Sequence, residues 1–225
     1  MSKPKLSKEE LRSRLENREG RYLYQVDQLT SPAYTQDIFD YVISHELNGE
    51  LKNIKKISRK SSYKPDRTTI NSNEASNRVE EQIVLQLFEK KESEAVRRVF
   101  GELLEYQVPL KKSRDDKAGK IDFIHLQDGV LYLNEIKAPI SKESLMKAIL
   151  EIQTYYQIVD HKKLRKSFGI DENKPIKKCI TIFDETLAYQ QYKGDENSPI
   201  KQLLKVFDIR VIVLHQNGET FERVN

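Results

Sequence analysis

Two short, nearly continuous apolar runs constrain the fold of this chain more than any other feature of its sequence. They are Cys179-Ile-Thr-Ile-Phe183 and Ile209-Arg-Val-Ile-Val-Leu214. Runs of this kind are typical of strands that are covered on both faces, as in a sheet that contains parallel strands. The sequence therefore predicts a sheet with helices packed against it.

A hairpin precedes these runs. Asp128-Gly129 is a strong hairpin signal between two segments of strand character, Lys120–Leu126 and Val130–Lys137. A further strand is predicted at Tyr106–Leu110, where Pro109 favours the edge of a sheet or the end of a strand.

Helical patterns surround these strands. Helices are predicted at residues 7–19, at Thr35–Leu47, from Ser76 or Asn77 to about Lys91, around Glu94–Leu104, and from Ser141 or Lys142 to about Val159. Together the elements predict an α/β core over residues 71–225, a mixed sheet flanked by helices. Residues 1–70 form an N-terminal helical and basic extension.

Composition excludes several classes of protein. Cys179 is the only cysteine, which excludes a disulfide framework, a thiolate zinc cage and an iron–sulfur cluster. No apolar run approaches the roughly 20 residues of a membrane span, and the first residues do not resemble a signal peptide. We expect a cytoplasmic protein with no membrane partner.

The positive charge is concentrated in one segment. The net charge is +4, and residues 1–67 contain fourteen Lys and Arg against ten Asp and Glu. The excess is greatest in the basic segment at residues 52–67, which holds seven bases and one acid. This segment either tracks a nucleic-acid backbone or is a solvated loop, and both interpretations fit. Its bases are Lys52, Lys55, Lys56, Arg59, Lys60, Lys64 and Arg67. A second basic group, Lys111, Lys112 and Arg114, precedes the hairpin.

Three charged residues stand in the predicted hairpin strands. Alternation places Asp122 on the face of Ile124, and it places Glu135 and Lys137 together on one face of the second strand. Two carboxylates suit a magnesium ion, and a nearby lysine suits the cleavage of a phosphodiester bond. The alternative is that these are solvated residues at fraying strand ends, with Asp122 paired to a neighbouring base.

Glu80 is the fourth candidate. It projects from the apolar side of the predicted helix, where an unpaired carboxylate is costly. Its partner is either the metal site, a buried salt bridge or the dipole of the helix N-terminus. Glu81 competes for the same role.

These residues resemble the PD-(D/E)XK nuclease superfamily, which has the restriction-endonuclease-like fold. The resemblance covers about residues 76–183: a helix with Glu80, a strand with Asp122, a hairpin, the strand motif Glu135-Ile136-Lys137 and a helix. Ile121 stands where the proline that names the motif is expected.

The resemblance implies a fold, a cofactor and roles for individual residues. Asp122, Glu135 and the Ile136 carbonyl would hold Mg²⁺, for which Mn²⁺ is a possible substitute. Lys137 would assist the attacking water, and Glu80 would support the metal. Gln153 and Tyr156 on the following helix would support the site, although their spacing differs from the usual one.

We therefore expect a Mg²⁺-dependent nuclease that hydrolyses phosphodiester bonds in DNA, with RNA as another possible substrate and a homodimer as a possible assembly. Two rival hypotheses remain open at this stage. The first is a non-catalytic nucleic-acid-binding or protein-interaction module on the same fold. The second is an α/β protein of unrelated function, in which Asp122 and Glu135 lie far apart.

Overall fold

The structure is a computed structural model that describes residues 7–16, 24, 32–47, 57, 59–66, 79–111, 118–217 and 220–223. Its helices are α1 Lys8–Glu16, α2 Thr35–Leu47, α3 Val79–Glu89, α4 Glu94–Phe100, α5 Leu145–Ile158, α6 His161–Ser167, α7 Leu187–Tyr192 and α8 Pro199–Val206, with a 3₁₀ turn at Pro32–Tyr34. Its strands are β1 Glu102–Pro109, β2 Lys120–Gln127, β3 Val130–Ile136, β4 Ile176–Phe183, β5 Ile209–Asn217 and β6 Thr220–Arg223.

The six strands form one mixed sheet in the order β1-β2-β3-β4-β5-β6. Strands β1 to β3 are antiparallel neighbours, β4 and β5 continue parallel to β3, and β6 returns antiparallel. The predicted α/β class, a mixed sheet flanked by helices, is confirmed. The run Cys179–Phe183 lies in β4, an interior strand whose residues from Lys178 to Phe183 are all buried.

Local sequence explains the turn of the hairpin and the end of strand β1. Asp128 and Gly129 both have positive φ angles, 52° and 76°, which is the backbone that a tight two-residue hairpin turn requires. Pro109 is the last residue of β1, and β1 is an edge strand, so the missing amide of proline interrupts no ladder. The structure begins β1 at Glu102, earlier than predicted, because α4 ends at Phe100.

The sheet has an apolar cluster on each face. On one face α5 packs Ile149 and Ile152 against strand residues that include Ile124 and Leu133. On the other face α3 and α4 cover a second apolar cluster. It contains Val84 and Leu87 of α3, Phe100 of α4, and Phe123, Cys179 and Ile212 of the strands. The chain thus forms three layers, which is the arrangement that lets a sheet bury both faces.

Residues before the core also enter the first of these clusters. Leu11, Ile38 and Val42 are buried in it. Tyr63 is fully buried, donates its hydroxyl to the Ile57 carbonyl at 3.0 Å and accepts from the Asp160 amide at 3.2 Å. Residues 59–66 have neither helix nor strand and contact α6, where the Tyr63 amide donates to Ser167 Oγ at 3.1 Å and Lys163 Nζ donates to the Lys60 carbonyl at 3.0 Å. The division of the chain near residue 70 stays a prediction.

Within the described ranges, no helix has the length and apolar character needed to cross a membrane.

His125 is a buried titratable group near the Asp128-Gly129 turn, away from the open end of the hairpin. Its ring is fully buried, it stacks on Tyr132 at a centroid distance of 4.9 Å, and neither ring nitrogen has a hydrogen-bond partner among the described residues. Burial lowers the pKa of His125 to about 3, and the Arg210 charge acts in the same direction. The folded protein therefore holds this imidazole neutral.

We predict that His125 makes the protein sensitive to acid. In the unfolded chain this residue is protonated near its ordinary pKa of about 6.5. Its effect on the free energy of unfolding is therefore constant above that pH, and the protein loses stability as the pH falls from there toward 3. The unfolding free energy of the His125→Phe variant, taken relative to the wild type, should be about 2 kcal/mol higher at pH 5 than at pH 8. Urea denaturation at the two pH values measures this difference. Phe123→Leu in the same cluster serves as the control, because its effect should not depend on pH; an equal effect of His125→Phe at both pH values would contradict the prediction.

Candidate functional site

The pairing of β2 with β3 brings two predicted acids side by side. Phe123 is opposite Asn134 in the antiparallel ladder, so Asp122 and Glu135 are the next residues outward on the two strands. The Asp122 carboxylate reaches across and accepts a hydrogen bond of 2.9 Å from the Ile136 amide. The hypothesis that these two acids lie far apart is wrong.

Lys137 follows β3 directly, and its ammonium group is surrounded by carboxylates. Lys137 Nζ lies 2.7 Å from Glu135 Oε1, 2.9 Å from Glu143 Oε2 and 3.0 Å from Glu151 Oε2. An ammonium has three N–H donors, so these acids can satisfy all of them. Lys137 and Glu135 are almost fully buried, at 3% and 4% exposure.

Helix α5 supplies the far wall of the site. Ser144 caps it by accepting from the Lys147 amide, and the helix then presents Glu151 and Tyr155 one turn apart. Tyr155 donates its hydroxyl to Glu151 Oε1 at 3.0 Å. Gly119 makes room for this contact, since a β-carbon there would lie 2.3 Å from the Tyr155 hydroxyl.

An open pocket of about 730 Å³ is formed by these elements. Its lining includes six acids, Glu80, Glu81, Asp122, Glu135, Glu143 and Glu151. It also includes four lysines, Lys111, Lys120, Lys137 and Lys147. The lining therefore carries more carboxylates than ammonium groups, which favours a bound cation.

Crowding of the acids changes their pKa values. Asp122 keeps part of its surface exposed, but the protein around it desolvates the carboxylate and raises its pKa to about 7, against the opposing effects of Lys137 and the Ile136 amide. Burial, together with the Asp122 and Glu151 charges, raises the pKa of Glu135. Burial alone would lower the pKa of Lys137, but the surrounding carboxylates raise it. The charged lysine is thus strongly favoured in this site.

Glu80 and Glu81 both line the pocket from the first turn of α3. Burial raises the pKa of Glu80, while Lys137 and a backbone hydrogen bond at Ala138 oppose the rise. Glu80 therefore lies in the same pocket as Asp122, Glu135 and Lys137.

Gln107 of β1 is a lining residue that the sequence did not indicate. It has a φ of 48°, the left-handed region that is unfavourable for a residue with a side chain. Its amide nitrogen lies 3.4 Å from Asp122 Oδ1, a long hydrogen bond. Strained backbone of this kind is common beside functional groups.

Gln153 and Tyr156 do not line the pocket. Gln153 Oε1 accepts a 2.7 Å hydrogen bond from Lys178 Nζ, and the same ammonium lies 4.6 Å from the centre of the Tyr156 ring. Glu151 and Tyr155 take the positions on α5 that face the site. Their i, i+4 spacing, continued back to Lys147, is the sequence signal that would have identified them.

Four of the predicted basic residues, Arg59, Lys60, Lys64 and Lys111, are described by the structure. Lys111 lines the pocket, whereas the Arg59 guanidinium bonds to the Pro109 carbonyl and stacks on Tyr63. Lys60 and Lys64 are exposed. The remaining predicted bases, Lys52, Lys55, Lys56, Arg67, Lys112 and Arg114, lie outside the described residues.

The donor set can be compared with the needs of magnesium. In the described part of the chain, no group of three or more His, Cys, Asp or Glu side chains is arranged to hold a metal ion. Mg²⁺ is usually held by one or two carboxylates, with water completing its octahedron. The Asp122 and Glu135 carboxylates, which both line the pocket, meet that smaller requirement and do not form an all-protein cage.

Comparisons with protein-family models, with curated proteins and with solved structures found no match to this chain.

We predict that Gly119→Ala disturbs the site through Tyr155. The added methyl group would collide with the tyrosine hydroxyl and remove its hydrogen bond to Glu151, at a cost of about 1–3 kcal/mol of unfolding free energy. Denaturation of the two single variants and the double variant measures the coupling. In a Tyr155→Phe background the same substitution should cost less; an unchanged cost would contradict the mechanism.

We also predict that Lys137 is essential for stability in the absence of a metal. Lys137→Met leaves Glu135 and Glu151 without their shared counter-charge and should cost about 3–5 kcal/mol at pH 8 in EDTA. Lys120→Met removes an exposed lysine from the same lining and should change stability by less than about 0.5 kcal/mol. Equal effects of the two substitutions in urea denaturation would refute the central role of Lys137.

Proposed function

We propose that the protein is a Mg²⁺-dependent nuclease that hydrolyses phosphodiester bonds in DNA. The observation that carries the proposal is the adjacency of Asp122 and Glu135 across two strands, with the Lys137 ammonium bonded to Glu135 in an open, acid-rich pocket. Desolvated carboxylates and a buried lysine that converge in one pocket are features expected of a catalytic site.

The order of elements supports the finer assignment to a restriction-endonuclease-like fold of the PD-(D/E)XK type. Glu80 lies on α3, Asp122 on β2 and Glu135 at the end of β3, after which α5 leads to the parallel strand β4. These elements follow one another in the order that the resemblance implies, and their acids line one pocket.

Each residue has a role in the proposed reaction. Asp122, Glu135 and the Ile136 carbonyl would hold the magnesium ion, which when bound stabilises negative charge on the phosphate under attack. Lys137 would assist the attacking water, and its positive charge would stabilise the negative charge that develops on the phosphate. Glu151 and Glu143 hold the Lys137 ammonium, and Tyr155 orients Glu151.

The lysines at the rim favour a polyanionic substrate. Lys111 and Lys120 are exposed and line the same pocket as the acids. Ammonium groups beside the site can neutralise the phosphates on either side of the bond to be cut. The exposed Lys60 and Lys64 can add to the attraction from further away.

Cleavage of plasmid and of single-stranded DNA with Mg²⁺ or Mn²⁺ tests the proposal. Lys137→Ala and Asp122→Asn should each reduce the rate by about 100-fold or more. Lys166→Ala, which removes an exposed lysine of α6 outside the pocket, should cleave at the wild-type rate. Cleavage that persists undiminished in Lys137→Ala would contradict the proposal.

One observation favours a second candidate, a non-catalytic nucleic-acid-binding or protein-interaction module on the same fold. Lys137 already supplies a positive charge to three carboxylates, the compensation that an ion would otherwise provide. Calorimetry with Mg²⁺ distinguishes the two. Binding that Asp122→Asn weakens supports the nuclease, whereas salt-sensitive DNA binding without magnesium binding supports the module.

A further inference from the structure

The Glu143 carboxylate bridges two lysines at the mouth of the pocket. Its Oε2 lies 2.9 Å from Lys137 Nζ, and its Oε1 pairs with Lys147 Nζ one turn along α5. Both lysines thus direct their ammonium groups at one carboxylate, with a different oxygen for each. Within the described part of the chain, Glu143 is the carboxylate bonded to Lys147.

A phosphodiester group presents the same chemistry as this carboxylate. Each has one negative charge shared by two oxygens that accept hydrogen bonds, so each can bridge two ammonium groups. Lys147 also lies at the start of α5, where the helix dipole favours an anion.

Glu143 is the acid that can most easily leave Lys137. Its side chain is 30% exposed, compared with 5% for Glu135 and 13% for Glu151, so water can solvate it when it moves away. It lies in the connection between β3 and α5, where its amide donates to Ser141 Oγ at 3.2 Å. Lys137 would keep two carboxylates after the exchange, but Lys147 would need a new anion.

We propose that the ammonium groups of Lys137 and Lys147 form a binding site for a phosphate group, which Glu143 fills until substrate displaces it. The identity of the substrate as DNA rests on the proposed function, whereas the anion site rests on this geometry alone. Glu143 would be a competitor for the substrate phosphate, and the site would favour a singly charged diester over an uncharged ligand.

Binding of a fluorescein-labelled oligothymidylate to the metal-free protein in EDTA, followed by anisotropy, tests the proposal. Glu143→Gln should lower the dissociation constant about tenfold, because it removes the competing charge. Glu81→Gln removes the same charge from the same lining, and among the described residues the ion pairs of Lys137 and Lys147 are with other carboxylates. It should change binding by less than about twofold. Adding Lys147→Gln to Glu143→Gln should abolish the gain.

The outcomes separate this site from the proposed function. Equal affinities of Glu143→Gln and Glu81→Gln, or a gain that survives Lys147→Gln, would overturn the phosphate site even if the wild type cuts DNA. A gain that depends on Lys147 would support the site, even if no metal gives cleavage and the nuclease proposal fails. Competition by inorganic phosphate, stronger in Glu143→Gln than in the wild type, is the accompanying expected result.

Discussion

The candidate site depends on one interaction, the placement of the Lys137 ammonium among the carboxylates of Glu135, Glu143 and Glu151. Carboxylates so close together repel one another, and burial adds to the cost of keeping them charged. The lysine compensates both effects and joins strand β3, the β3–α5 connection and helix α5 through three ion pairs. The strand end and the helix are thereby held around one pocket.

The sheet gives this cluster its position. Antiparallel pairing of β2 and β3 places Asp122 next to Glu135, and the change to parallel pairing at β4 requires a crossover, which α5 provides. The crossover covers one face of the sheet with apolar residues such as Ile149 and directs Glu151 and Tyr155 toward the end of β3. The same helix therefore contributes to the core and to the site.

Several features were predictable because their causes are local. The Asp128-Gly129 turn, the two apolar runs and the edge position of Pro109 depend on neighbouring residues, and all three have the predicted structure. Alternation along the strands was also sufficient to group Asp122, Glu135 and Lys137. Glu143 was not predicted because it lies in the connection between β3 and α5, where no periodicity indicates the direction of a side chain. The resemblance implied Gln153 and Tyr156 because they are the expected residue types. The orientation of α5 about its own axis instead turns Glu151 and Tyr155 toward the pocket.

By itself the sequence determined the α/β class, the hairpin and the three charged residues at its open end, because periodicity and turn chemistry act over a few residues. Only the tertiary structure decided which partners those residues have. The Arg59 guanidinium is bonded to the Pro109 carbonyl, fifty residues away along the chain. Lys147 and Lys137 both pair with Glu143, which lies in the connection between β3 and α5. Such pairings depend on how helices pack on the sheet, and a charge-rich chain offers too many equivalent acids and bases for spacing alone to select among them.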